Sequence, residues 1–165
     1  MEIDTDAVRI AREHPTAPGV AALIAALDAY HADLYPPESN HGIPIAELAA
    51  PSVRFFVARR DEAAVGCVAY RLGQHRNAEI KRLYVSEAAR GGDLGRRLMQ
   101  AAEISARTEG IVGFRLETGI HNHAALKLYR SLGFDETGPF PPYSDDPLSV
   151  FMQKLIVGAA SQAED

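Results

Sequence analysis

A strand-like run, a glycine-rich turn and a helix-like run follow one another without interruption from Ala78, and a second strand-like run comes directly after them. Ala78 to Val85 alternates with period two, Leu94, Leu98, Ala102 and Ile104 broadly keep helical spacing as far as Gly110, and Phe114 to Thr118 is again β-rich. A strand, a crossover helix and a strand in this order pair in parallel and in the right-handed sense, so the fold must contain a βαβ unit. The turn inside that unit, Arg90-Gly91-Gly92-Asp93-Leu94-Gly95-Arg96, feeds a helix N-terminus. Free backbone amides and the positive end of the helix dipole can hold a phosphate or pyrophosphate there, although an ordinary strand-to-helix loop satisfies the same pattern.

The flanking segments fix the rest of the sheet. Val8 to Arg12 reads as an opening strand, Pro15 and Pro18 mark a boundary, and the run through Ala21, Leu23, Ile24, Leu27, His31 and Leu34 reads as an amphipathic helix stopped by Pro36 and Pro37. A short helix is predicted over Ile45 to Ala50. Arg54 to Arg60 and Ala64 to Leu72 form a predicted hairpin about Asp61 and Glu62, and Asn77 to Val85 extends it to three antiparallel strands. Downstream, Asn122 is placed to cap a helix that Gly133 ends at its C′ position, and Phe134 to Thr137 and Val150 to Lys154 supply the last strands. The predicted class is α/β, a mixed sheet flanked by helices.

At 165 residues the chain is read as one domain, residues 1–157, with residues 158–165 as a flexible tail of small and acidic residues. A formal net charge of -5 argues against a nucleic-acid partner. The single Cys67 sits among Val65, Val68 and Tyr70 and reads as a buried structural thiol rather than a nucleophile. Met1 to Ala11 is acidic where a secretory leader would be basic, and no apolar run reaches the ~20 residues a membrane span needs, so a soluble cytoplasmic protein with no membrane partner is expected. His121 and His123 stand at i, i+2, off a common helix face, and no Cys pair or HExxH occurs, so no metal is expected.

In combination the motifs are more specific. Arg90 and Gly95 match the Arg or Gln, two residues, Gly, one residue, Gly or Ala signature of the GNAT superfamily of acyl-CoA-dependent N-acetyltransferases, with Asp93 in place of the usual middle glycine. Leu83-Tyr84-Val85 precedes the turn, Leu94 to Met99 follows it, and Ala125, Tyr129, Gly133 and Phe134 fit the family's Ala-x-x-x-Tyr-x-x-x-Gly-Phe pattern. The chain thus resembles the bacterial small-molecule members of this superfamily over most of Arg54 to Leu155. The resemblance implies a central, mostly antiparallel sheet with one parallel pair. It also implies acetyl-CoA as cosubstrate and direct transfer of the acetyl group to a primary amine of a small molecule. It leaves a homodimer open.

The resemblance further assigns residues. Backbone amides of Gly91, Gly92, Asp93, Leu94, Gly95 and Arg96, beside Arg90, would hold the coenzyme pyrophosphate, and main-chain groups of Leu83, Tyr84 and Val85 would pair with the pantetheine arm as an added strand. Leu83 and Val85 are equally consistent with sheet core. Tyr129 stands at the family's tyrosine, where a phenol protonates the departing sulfur; the alternative is a tyrosine packed on a helix face. Glu79 is placed as general base or as an edge charge paired with Lys81 or Arg82, and Glu117 as a second base or a ligand for the substrate cation. Asn122 would bond the pantetheine arm, cap the helix, or both.

Two proline-rich loops, Tyr35 to His41 and Gly138 to Pro147, read as stiff flaps, and with Glu38, Glu79, Glu117 and Tyr143 they would frame a pocket for a small amine. Two rivals remain at this level. One is a non-catalytic acyl-CoA sensor or interaction protein on the same fold. The other is a dinucleotide enzyme, disfavoured because the turn lies mid-chain after antiparallel strands and lacks the GxGxxG spacing.

Overall fold

The computed structural model describes residues 7–39 and 42–156; the predicted tail, the first six residues, and Asn40 and His41 of the first flap lie outside the described residues. The elements are β1 (Val8–Arg12), α1 (Val20–Leu34), α2 (Ile45–Leu48), β2 (Val53–Arg60), β3 (Ala63–Leu72), β4 (Asn77–Val85), α3 (Leu94–Thr108), β5 (Gly113–Gly119), α4 (His123–Ser131), β6 (Asp135–Thr137) and β7 (Ser149–Leu155). Single 3₁₀ turns occur at Pro37–Ser39 and Glu87–Ala89.

The strands form one seven-stranded sheet in the order β1-β2-β3-β4-β5-β7-β6, antiparallel throughout except for the β4–β5 pair. This is the mixed sheet predicted from the βαβ unit and its flanks. Two details differ from the sequence reading. The short helix ends at Leu48, before Ala49 and Ala50, and Phe134 lies in the connection between α4 and β6 rather than in β6.

Helices cover both faces. On one side Phe56, Ala58, Val68, Tyr70 and Ile80 pack against Leu94, Leu98, Ala102 and Ala106 of α3 and against α4. On the other, Val57, Cys67 and Ala69 pack against Val20, Leu23 and Ile24 of α1 and Leu48 of α2. The period-two alternation of β2 and β3 divides their apolar residues between these two cores. Cys67 is fully buried, its thiol lies 3.2 Å from the Arg82 carbonyl, and burial pushes its pKa up to about 12, as befits a structural thiol.

Helix ends follow local chemistry. Pro36 favours an extended residue before it, and Tyr35 (φ -134°, ψ 145°) ends α1 in that conformation. Gly133 (φ 93°) ends α4: its amide donates to the Arg130 carbonyl at 3.1 Å, and the Phe134 amide donates to the Tyr129 carbonyl at 3.0 Å. This is the six-to-one and five-to-two bonding of a Schellman cap, and the apolar contact that accompanies such caps is the Phe134 ring on the Tyr129 ring, centroids 5.6 Å apart. The Tyr-x-x-x-Gly-Phe pattern is therefore a device that fixes Tyr129 against the core.

Two features of β4 position the site. Parallel pairing with β5 stops after Asn77↔Gly113, Ala78↔Phe114 and Glu79↔Arg115, so the remaining halves of the two strands are unpaired with each other. Against β3, the register passes from Ala69↔Lys81 to Cys67↔Tyr84, which gives β4 one extra residue. Arg82 lies at this bulge with φ 58°, a left-handed conformation that costs a non-glycine residue about 1 kcal/mol. The buried Arg82 side chain donates to Asp28 Oδ1 of α1 at 2.6 Å and twice to the Ile43 carbonyl, at 2.7 and 3.1 Å. These bonds offset the strain and tie the bulge to the α1 layer.

Candidate active site

Where β4 and β5 part, a cavity of about 400 Å³ passes from the α1 layer to the N-termini of α3 and α4. Its wall includes β4 from Ile80 to Val85, β5 from Glu117 to Gly119, and Tyr30, His31 and Tyr35 at the end of α1. Arg90, Gly91, Gly92, Gly95, Asn122 and Tyr129 line it as well.

The glycine turn presents bare amides. None of the backbone amides of residues 91–96 donates to a carbonyl among the described residues, the first such bond of α3 being Arg97 to the Asp93 carbonyl at 2.9 Å. A Cβ built on Gly91 (φ 93°) or Gly92 would meet nothing within 4 Å, so the turn is open to a ligand. Gly95 has a different reason to be glycine: a Cβ there would come within 3.1 Å of Leu128, where α3 and α4 approach. Arg90 lies across the turn, its Nε donating to the Val85 carbonyl at 3.1 Å and its guanidinium 5.6 Å from the Tyr84 ring and 5.9 Å from the Tyr30 ring.

Three of the predicted turn residues turn their side chains away from the cavity. Leu94 is buried in the core, Arg96 donates to Ser131 Oγ at 2.7 Å, and Asp93 is exposed. Asp93 has φ -83°, so the conformational demand for glycine falls on Gly91 and not on the out-of-pattern residue. Arg97 is also turned away, to the Val8 carbonyl at 2.9 Å.

Asn122 occupies the N-cap position of α4, yet its side chain does not cap the helix. Instead its Nδ2 donates to Thr118 Oγ1 at 3.2 Å, and its Oδ1 is buried with no partner among the described residues. A buried acceptor left unmade costs free energy unless a ligand or water donates to it. Bare amides, an open turn and this unpaired acceptor line one cavity, and together they fit an anion at one end and an amide-bearing chain along β4.

Tyr129 is 6% exposed, lines the cavity and makes no hydrogen bond among the described residues. Burial, with a smaller contribution from Glu117, raises its pKa, so the phenol stays protonated through the neutral range. Glu117 lies on the same wall and accepts a bond from Ser149 Oγ at 2.7 Å. Of the other carboxylates considered, Glu79 is off this wall. Its Oε1 bonds Arg71 Nη2 at 3.0 Å, its Oε2 lies 3.1 Å from Lys81 Nζ, and the Tyr143 hydroxyl bonds both Glu79 and Lys81. The ion-pair alternative for Glu79 is thus the one the side chain adopts. Tyr143 reaches the cavity only through Lys81, and Glu38 is exposed and off the wall. Its neighbour Ser39 joins the two flaps by donating to Asp146 Oδ2 at 2.7 Å.

Several wall residues were not anticipated. Lys81 is buried, and burial lowers its pKa against the opposing pull of Glu79. Strand alternation from Glu79 signals that these two share a face, but not that Lys81 ends at the cavity. Tyr35 accepts the His121 amide at 3.0 Å and stacks on the His121 ring at 5.8 Å; a Cβ on Gly119 would overlap its hydroxyl. No local signal links residues so far apart in sequence. Among the described residues no group of His, Cys, Asp and Glu could hold a metal, and no helix is long and apolar enough to cross a membrane.

Comparison with known proteins matches this arrangement to one family. The chain is 47% identical over 150 residues to a protein named IAA acetyltransferase from Azospirillum brasilense, covering 90% of this chain and 98% of that one. It resembles the crystal structure of a Klebsiella pneumoniae protein assigned as an acyl-CoA N-acyltransferase, with 39% identity, TM-score 0.77, and coverage of 90% and 97%. It shares its fold with the PaiA N-acetyltransferase of Thermoplasma acidophilum, solved with coenzyme A, at 17% identity, TM-score 0.69, and coverage of 90% and 99%. Residues 22–134 match the family model described as the acetyltransferase (GNAT) family, and by that match and these likenesses the chain belongs to the GNAT family of acetyltransferases.

Proposed function

We propose that residues 1–157 form one catalytic domain that moves an acetyl group from acetyl-CoA directly to a primary amine of a small molecule. The observation that carries this reading is the cavity between the diverging halves of β4 and β5, which brings the Tyr129 hydroxyl, the Glu117 carboxylate and the open glycine turn onto one wall. Acetyl-CoA, when bound, supplies an activated thioester carbonyl and leaves as a thiol.

The chain's own residues divide the remaining tasks. The amides of Gly91, Gly92, Leu94, Gly95 and Arg96 receive the pyrophosphate at the head of α3, and the exposed edge of Leu83 to Val85 takes the pantetheine arm as a further strand. Arg90 leaves the Val85 carbonyl and turns to the phosphates. Asn122 Oδ1 accepts a hydrogen bond from the arm. Tyr129 gives its proton to the departing sulfur, a role for which a protonated phenol without a protein partner is suited. Glu117, rather than the ion-paired Glu79, takes the proton of the incoming ammonium directly or through a water. Transfer is direct, since Cys67 is fully buried and off the cavity wall.

Release of coenzyme A thiol measured against amino acids, polyamines and aminoglycosides tests the reading, alongside melting curves with acetyl-CoA and with NAD. Expected are stabilisation by acetyl-CoA and not NAD, and turnover with at least one amine class. Stabilisation by acetyl-CoA with no turnover on any amine would favour the non-catalytic sensor, and stabilisation by NAD alone would overturn the site.

A further inference from the structure

A second cleft, of about 360 Å³, opens at the end of the sheet where β4 begins. Glu79 lines it while Lys81 lines the first cavity, so the Glu79, Tyr143 and Lys81 cluster stands between the two. The sheet register sets a row of charge on its wall: Arg71 of β3 lies opposite Glu79 of β4, which lies opposite Arg115 of β5. Arg71 is bonded to Glu79, but Arg115 makes no ion pair or hydrogen bond among the described residues. Its guanidinium lies 5.7 Å from the Phe140 ring. One carboxylate therefore stands between two guanidiniums, and Lys81 draws on that same carboxylate. The row has surplus positive charge in a chain of formal net charge -5.

The turn above the row points the same way. In the β3–β4 connection the Gly73 amide donates to the Asn77 carbonyl at 2.8 Å and the Asn77 amide to the Gln74 carbonyl at 3.0 Å. Between them His75 and Arg76 adopt φ of 57° and 59°. Such two-residue turns favour Asn and Gly, which take the left-handed conformation cheaply. Bulkier residues held there are typical of places where the side chains have a use, and His75 lines the cleft. Phe140, Pro141 and Pro142 supply a wall with no charge.

We propose that this cleft is a second ligand site, separate from the transfer cavity, for a small monocarboxylate with an apolar or aromatic body. The carboxylate pairs with Arg115, the guanidinium of the row that Glu79 does not bond, and the body lies on Phe140 and the two prolines.

Calorimetric titration of the full chain with phenylacetate tests this, with acetate as the charge-only probe and benzyl alcohol as the ring-only probe. Expected is saturable binding of phenylacetate, stronger than of either partial probe and undiminished by saturating coenzyme A. Arg115→Ala should weaken it by at least about tenfold, the loss usual when one partner of a partly buried charge pair is removed, with Arg115→Lys between. Arg115→Gln keeps the stem and serves the same purpose if the alanine variant no longer melts cooperatively. Unsaturable binding to the wild type, unchanged affinity in the folded Arg115 variants, or displacement by coenzyme A would overturn the second site. None of these outcomes depends on whether an amine is acetylated.

Discussion

Replacing Tyr129 by Phe separates chemistry from architecture. The ring stays, so its contact with Phe134, centroids 5.6 Å apart, and its burial at 6% exposure are retained. The hydroxyl has no partner among the described residues to strand, and the stability change should lie within about 1 kcal/mol of zero. For a chain of this length that is a shift in Tm of no more than about 2–4 °C. In the proposed mechanism the chemical step loses its proton donor. General acids contribute roughly 10²–10⁴-fold, so kcat should fall by at least about a hundredfold, or about 2.7 kcal/mol of barrier. Acetyl-CoA affinity should hold, because the proposed coenzyme contacts are made by other groups. Burial holds the phenol above the usual tyrosine range, so the ratio of wild-type to variant kcat should stay level from neutral into mildly alkaline solution. Thiol-release kinetics at saturating amine, a melting curve and calorimetry with acetyl-CoA measure the three quantities. An unchanged kcat would remove the acid role, and a fall in Tm above about 8 °C would show that the hydroxyl has a structural partner.

Glu117→Gln should lower kcat/KM by about tenfold or more, whereas Glu79→Gln should act first on stability, by about 3 kcal/mol, because it leaves Arg71 and Lys81 without their carboxylate. Melting curves and pH-rate profiles of the two variants decide this, and a stable Glu79→Gln protein with collapsed activity would return the base role to Glu79. Asp93 is exposed and off the cavity wall, so Asp93→Gly should tighten coenzyme A binding by no more than about fivefold, the ~1 kcal/mol of a charge screened by solvent. Weaker binding by calorimetry would show that the carboxylate helps. Glu109 is held below the usual carboxylate range by its hydrogen bonds from Arg54 and, secondarily, Tyr70. A depressed folded pKa gives stability that is present above the unfolded value and lost as pH falls through the folded one. Glu109→Gln should therefore cost about 1 kcal/mol near neutrality and nothing in acid; a difference in Tm that ignores pH would refute the assignment.

Most of the fold was legible because its signals are local. Period two marks the strands, the order of strand, helix and strand dictates the parallel pair, and prolines and glycines end the helices at Tyr35, Gly110 and Gly133. The glycine turn of the cavity was legible for the same reason, since bare amides at a helix N-terminus need only backbone and glycine. The surroundings of its side chains were not. Tyr35 is held by His121, Arg82 by Asp28 and Ile43, and Glu79 by Arg71, Lys81 and Tyr143. Which of several nearby carboxylates reaches a cavity depends on such long-range partners. Glu79 and Glu117 look alike as sequence, yet only the second has its strand partner drawn away from it.

The extra residue of β4 has a genetic consequence. With strict alternation, Leu83 and Val85 would share a face with Glu79 and Lys81; the insertion instead turns them toward the α3 core and leaves Tyr84 with the α1 core. The lining that β4 gives the cavity thus depends on the number of residues in the strand as well as on their identity. Removing one codon at position 82 should therefore exchange the inner and outer faces of residues 83 to 85.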